Sequence, residues 1–149
     1  MNISNNWKDY ECIKTGAGEK LERWKEVILV RPDPQIIWNK TSKWQNYDGK
    51  YYRSTEGGGH WEFNKKLPEY WTVNYKNLTF KVSPTNFKHT GIFPEQAANW
   101  DFIERKVKEY RQNNNEMKVL NLFAYTGCAT MMASASGATE TVHVDASKS

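Results

Sequence analysis

Residues 118–145 constrain this fold more than any other stretch. Val119-Leu120-Asn121-Leu122-Phe123 is a mostly apolar run, and Ala124-Tyr125-Thr126-Gly127 carries a tight turn. Small residues follow from Cys128-Ala129-Thr130, and Glu140-Thr141-Val142-His143-Val144-Asp145 is a second apolar run that ends in an acid. Strand, turn, helix and strand in that order make a β-α-β unit, the opening of an α/β sheet that binds nucleotides or cofactors at the carboxyl ends of its strands. Asp145 lies 18 residues past Gly127, near the spacing at which such folds place an acid on a ribose hydroxyl. The chain has 149 residues and ends at Ser149. The expectation is therefore a sheet begun here and continued beyond Ser149.

The remaining length allows one further domain with a core of its own. Mean hydropathy is low, at −0.84, yet seven Trp, eight Tyr and six Phe argue against disorder, because disordered chains are poor in aromatics. A net charge of +4 and a pI near 9.0 permit contact with nucleic acid without establishing it, since no Lys/Arg run exceeds two residues. Cys12 and Cys128 share no metal-ligand spacing and suit a reducing, cytoplasmic setting. The first residues have no apolar core of a signal peptide, and no stretch is long enough to span a bilayer, so no membrane partner is expected.

Residues 9 to 88 read as short strands. Tyr10 to Lys14 precedes the turn Thr15-Gly16-Ala17-Gly18, and Val27 to Val30 is closed by Arg31-Pro32-Asp33-Pro34. Tyr51-Tyr52-Arg53 and Trp61-Glu62-Phe63 flank Gly57-Gly58-Gly59, and Trp71 to Tyr75 and Leu78 to Val82 flank a two-residue hairpin loop, Lys76-Asn77. A small antiparallel sheet or barrel is the expected outcome. The pattern changes near Pro94, where Trp100, Ile103, Val107 and Tyr110 recur at helical spacing. Pro94 and Glu95 suit a first helical turn, and Gln112 to Asn115 ends it. Domains 1–88 and 89–149 follow from this division.

Several motifs favour plain structural readings. Gly16-Ala17-Gly18-Glu19-Lys20 lacks the glycine spacing and the hydroxyl of a phosphate loop and reads as a hairpin turn. Gly57-Gly58-Gly59 reads as a turn, and His60 has no neighbours at metal spacing, so no metal is expected. Tyr51, Tyr52, Arg53, His60 and Trp61 interleave aromatic and basic groups as single-strand nucleic-acid platforms do, although an aromatic core explains them as well. Cys128, at a helix start, has the place of a low-pKa nucleophile; a small packing residue is the simpler reading. A full G-x-G-x-x-G is absent, which disfavours a dinucleotide. Turn amides that attract a carboxylate and an acid for a ribose diol together match S-adenosylmethionine.

On these residues the chain resembles the class I S-adenosylmethionine-dependent methyltransferases, in the branch similar to bacterial large-subunit ribosomal RNA methyltransferases. Val119 through Gly127 resembles that branch's first cofactor motif, Val142-His143-Val144-Asp145-Ala146-Ser147 its second, and His89 through Gln96 its entry into the catalytic domain. The resemblance implies a small N-terminal antiparallel β domain followed by the first β-α-β of a Rossmann-like sheet, α+β passing to α/β, and truncated. It implies that Phe123, Tyr125, Thr126 and Gly127 lie along the methionine part of the cofactor. Asp145 would take the ribose hydroxyls, Ala146 would sit beside the adenine, and Gln96 is a further contact. Cys128 stands where relatives usually carry a second glycine. An Asp-Pro-Pro acceptor motif is absent from these 149 residues, so no catalytic residue is assigned and the chain alone is expected to be inactive. RNA, ribosomal RNA in particular, is the implied substrate. The rival readings are a non-catalytic nucleic-acid-binding β module with a vestigial α/β tail, and a nicotinamide-dependent oxidoreductase.

Overall fold

A computed structural model describes residues 3–146. The chain divides into two compact units, one of Asn6–Gly91 and one that joins residues 3–5 to everything from Ile92 onward. The whole is mixed α/β, with three sheets and two α-helices among the described residues.

The first unit begins with β1 (Tyr10–Gly16), β2 (Glu19–Trp24) and β3 (Val27–Pro32), an antiparallel meander. Ala17 and Gly18 both have positive φ, at 50° and 72°, as a two-residue hairpin turn between right-twisted strands requires. The strand Glu19–Trp24 has no counterpart among the strands read from the sequence. Its alternation is masked because a buried position carries a charge: Glu22 is 0% exposed. Pro32 lies within β3 rather than closing it, at the strand end, where its missing N–H is tolerated.

The sheet continues with β4 (Gly49–Arg53) and β5 (Gly59–Phe63) in the order β1-β2-β3-β4-β5. Here the antiparallel expectation is corrected. β3 and β4 are parallel, Leu29 opposite Gly49 and Val30 opposite Lys50. Parallel neighbours need a long crossover, and residues 33–48 supply it without a helix. That segment seats Trp44 on Leu21 and Val30. β6 (Trp71–Tyr75) and β7 (Leu78–Val82) form a separate hairpin with the expected bounds, and Val73, Tyr75, Leu78, Phe80 and Val82 are buried on it.

In the second unit, Pro94–Gln96 forms a short 3-10 turn leading into α1 (Ala97–Arg111). Trp100 and Val107 are buried, but Tyr110 is 51% exposed, so the expected stripe is one residue shorter. β8 (Lys118–Leu122) and β9 (Glu140–Val144) pair in parallel on either side of α2 (Cys128–Ala135) in sequence. The β-α-β is therefore present. The strands are not buried, however. Leu120, Leu122, Val142 and Val144 share one face and are 42–60% exposed, because α2 covers only the other face, where Asn121 Nδ2 donates to Thr130 Oγ1 at 2.9 Å.

Candidate functional site

The turn between β8 and α2 departs most from ordinary backbone. Phe123 (φ 54°), Tyr125 (φ 53°) and Gly127 (φ 89°) all lie in the left-handed region. Two of the three are aromatic, and such residues avoid that region unless their surroundings enforce it. The enforcing bonds are visible. Ala124 N–H donates to Val144 O at 3.1 Å, Gly127 N–H donates to Ala124 O at 2.9 Å, and Tyr125 N–H donates to Asp145 Oδ2 at 2.7 Å. Asp145, at the end of β9, therefore fixes the turn through its carboxylate.

The turn forms one wall of a cavity of about 290 Å³, just under the usual range of small-molecule sites. Gln96, Phe123, Tyr125 and Thr126 all line it, together with the start of α2 at Cys128 and Ala129. The Phe93 and Tyr125 rings stand 4.9 Å apart. Gly127, Asp145 and Ala146 do not line it. Gly127 is the cap of α2, and a Cβ there would stand 3.2 Å from the His143 ring. Asp145 and Ala146 are exposed, and Ser147 lies outside the described residues.

Sequence reasoning missed Phe93, Asn99, Trp100 and Asn121, which share the cavity. Asn99 left a signal, since it follows Gln96 by three residues and donates to Gln96 Oε1 at 2.8 Å. Asn121 left another, as an amide within an apolar strand.

Chemically the cavity offers aromatic faces, side-chain amides and the first backbone N–H groups of α2, which favour an anionic group. Cys128 is 8% exposed. Burial pushes its thiol pKa up, against a smaller opposing hydrogen bond from Thr126. Burial thus favours the protonated thiol, in keeping with a packing residue. No group of three or more metal-ligating side chains occurs among the described residues.

No family model matches the sequence. A ribosomal RNA large subunit methyltransferase K/L of Magnetococcus marinus is 38% identical over 122 residues, which is 82% of this chain and 14% of that protein. A solved S-adenosylmethionine-dependent methyltransferase of Agrobacterium tumefaciens superposes with a TM-score of 0.84 at 38% identity, over 95% of this chain and 45% of its own. The chain belongs with the class I S-adenosylmethionine-dependent methyltransferases. A structure described as a methyltransferase complexed with SAH shares the fold at 19% identity, with a TM-score of 0.62, over 97% of this chain and 40% of its own. The chain thus spans a minor part of the length of these methyltransferases, and the likeness to the last concerns fold alone.

Proposed function

We propose that this chain is part of an S-adenosylmethionine-dependent methyltransferase that acts on RNA, ribosomal RNA in particular, in the cytoplasm. One observation carries the reading. A backbone turn held in left-handed conformations by Asp145 brings Phe123, Tyr125 and Thr126 into a single cavity with Gln96 and the α2 amides. The donor set fits the cofactor: amides for its carboxylate, aromatic faces for its apolar parts, and a carboxylate at the end of β9 for its ribose.

In this reading the methionine part lies along Phe123 and the Tyr125-Thr126-Gly127 turn. Asp145 accepts from the ribose hydroxyls, Ala146 flanks the adenine, and Gln96 closes the methionine side. S-adenosylmethionine supplies an electrophilic methyl group, and displacement at that carbon needs alignment above all. These residues bind and orient. The acceptor-side machinery belongs to sequence beyond this chain, and β8 and β9 are the first strands of a longer sheet. The support is that the chain covers 45% of the Agrobacterium enzyme and leaves one face of β8–β9 apolar and open.

Calorimetric titration of the chain tests this reading. S-adenosylmethionine should bind and NAD should not. Asp145→Ala should weaken binding by about 1.5–3 kcal/mol, the scale for a hydrogen bond to a charged group. Unchanged affinity in a folded Asp145→Ala protein removes the assignment.

A further inference from the structure

Two motifs of the first unit, Arg31-Pro32-Asp33-Pro34 and Gly57-Gly58-Gly59, have no part in the cofactor cavity. Arg31 of the first, through the Lys88 carbonyl, and Gly57 and Gly58 of the second converge on a different place. A second cavity, of about 250 Å³, is lined by Arg53, Lys88, His89, Phe87, Gly57 and Gly58 among others, and no carboxylate lines it.

The cavity is held from beneath. Arg31 is 4% exposed and grips Glu22 through Nε at 2.5 Å and Nη2 at 2.8 Å. Its remaining arm, Nη1, donates to the carbonyl of Lys88 at 3.1 Å. Trp61 Nε1 donates to the carbonyls of Thr85 at 2.8 Å and Phe87 at 3.1 Å. Thr85 closes the same loop, donating from Oγ1 to His89 O at 3.0 Å and accepting from Phe87 N–H at 3.2 Å. On the opposite rim, Gly57 and Gly58 have φ of 94° and 74°, and Ser54 N–H donates to Gly58 O at 3.2 Å. Gly59 tolerates no side chain, because a Cβ there would stand 2.1 Å from Tyr52 O. Backbone fixed on both sides thus presents Lys88 and Arg53 to one space. Burial and then the Arg53 charge hold the Lys88 ammonium below the usual lysine range, with Lys20 and Arg31 adding and Asp33 opposing. Arg53 and Lys88 line the same space with no carboxylate among its lining residues, which suits an anionic group.

Phe87 is 63% exposed at the same cavity, which adds a stacking face to the cations. That combination is how proteins hold an unpaired nucleic-acid strand. We infer that the Arg53–Lys88–His89 cleft holds a backbone phosphate of the RNA substrate, with an adjacent base stacked on Phe87. The inference rests on the RNA reading given above and names a contact surface for it.

The test is fluorescence anisotropy of the whole chain with a labelled, unstructured RNA oligonucleotide over a salt series. Lys88→Ala and Arg53→Ala should each weaken binding about tenfold and lower the salt slope by about one, as losing a phosphate contact does. Phe87→Ala should weaken binding while leaving the slope unchanged. Lys43→Ala, at an exposed lysine elsewhere, should change nothing. Melting curves confirm that each variant folds, and the Lys88 carbonyl that Arg31 grips survives the change to alanine. Equal losses with Lys43→Ala, or unchanged binding with Lys88→Ala, overturn the site. So does competition by inorganic phosphate at the concentration where the RNA itself binds, which would make this an anion site only. Wild-type chain that binds no RNA overturns it too. S-adenosylmethionine titration of the same proteins should be unaffected throughout. Its failure in the wild type counts against the function proposed above, whatever the RNA result.

Discussion

In the unit of Asn6–Gly91, β3, β6 and β7 bury most of their apolar residues, whereas β8 and β9 of the second unit leave one apolar face exposed. Trp24, Leu29, Val73 and Tyr75 are at most 1% exposed, whereas Leu122 is 54% and Phe123 92% exposed. The first unit even buries a charge, since Glu22 is enclosed with Arg31 and accepts from the Tyr10 hydroxyl at 2.7 Å. A fully enclosed ion pair demands that every partner be present. The second unit instead stores irregular backbone at a turn and leaves apolar sheet uncovered. One region is a closed scaffold; the other is a ligand turn on a sheet whose open face asks for a cover.

The largest expected effect breaks the scaffold. Arg31→Met leaves Glu22 buried without its main partner and should cost about 3–5 kcal/mol, read by urea denaturation followed at the tryptophans. Acid should act in the same place. Burial alone would raise the Glu22 pKa, but Arg31, with help from Lys20 and Tyr10, holds it below the usual carboxylate range. Glu19 is likewise depressed, with Lys40 and Lys50 outweighing burial. A depressed folded pKa gives stability that is complete above the unfolded value of about 4.3 and is lost as pH falls through the folded one. Melting temperature should thus fall more steeply below pH 4 for wild type than for Glu22→Gln, and parallel curves would show that Glu22 is not the group responsible.

Gly127→Val should follow in size, at about 1–3 kcal/mol, because φ of 89° strains a branched residue and its Cβ would press on the His143 ring. S-adenosylmethionine binding should be lost while the tryptophan-rich β unit stays folded. Normal cofactor binding by that variant would reduce Gly127 to a turn residue. The smallest effect is expected at the open face: Leu120→Lys should change stability by no more than about 0.5 kcal/mol, since Leu120 is 60% exposed. A loss of several times that, measured by thermal melting, would show that the face is covered in solution.

Legibility in the sequence followed locality. The hairpin Trp71–Tyr75 and Leu78–Val82 was readable to its ends, because strict alternation and a two-residue loop are local signals. β2 was not, since the meaning of Glu22 depends on Arg31, nine residues away. The parallel β3–β4 pair was hidden as well, because a 16-residue crossover of coil has no periodicity to announce it. At the candidate site, Phe123, Tyr125 and Thr126 were marked by their motif, and the cavity does gather them with Gln96. Phe93 and Trp100 were unmarked as site residues, because only the packing of α1 and the segment before it beside the β8–α2 turn brings them there.

Hydrogen exchange of the whole chain, with and without S-adenosylmethionine, tests the central claim most directly. The account predicts slowed exchange at residues 121–129 and at Asp145 and Ala146, above all at the Tyr125 amide that Asp145 accepts from, with residues 10–82 unchanged. Unaltered exchange across 121–129 at saturating cofactor, or protection confined to the β unit, would contradict it.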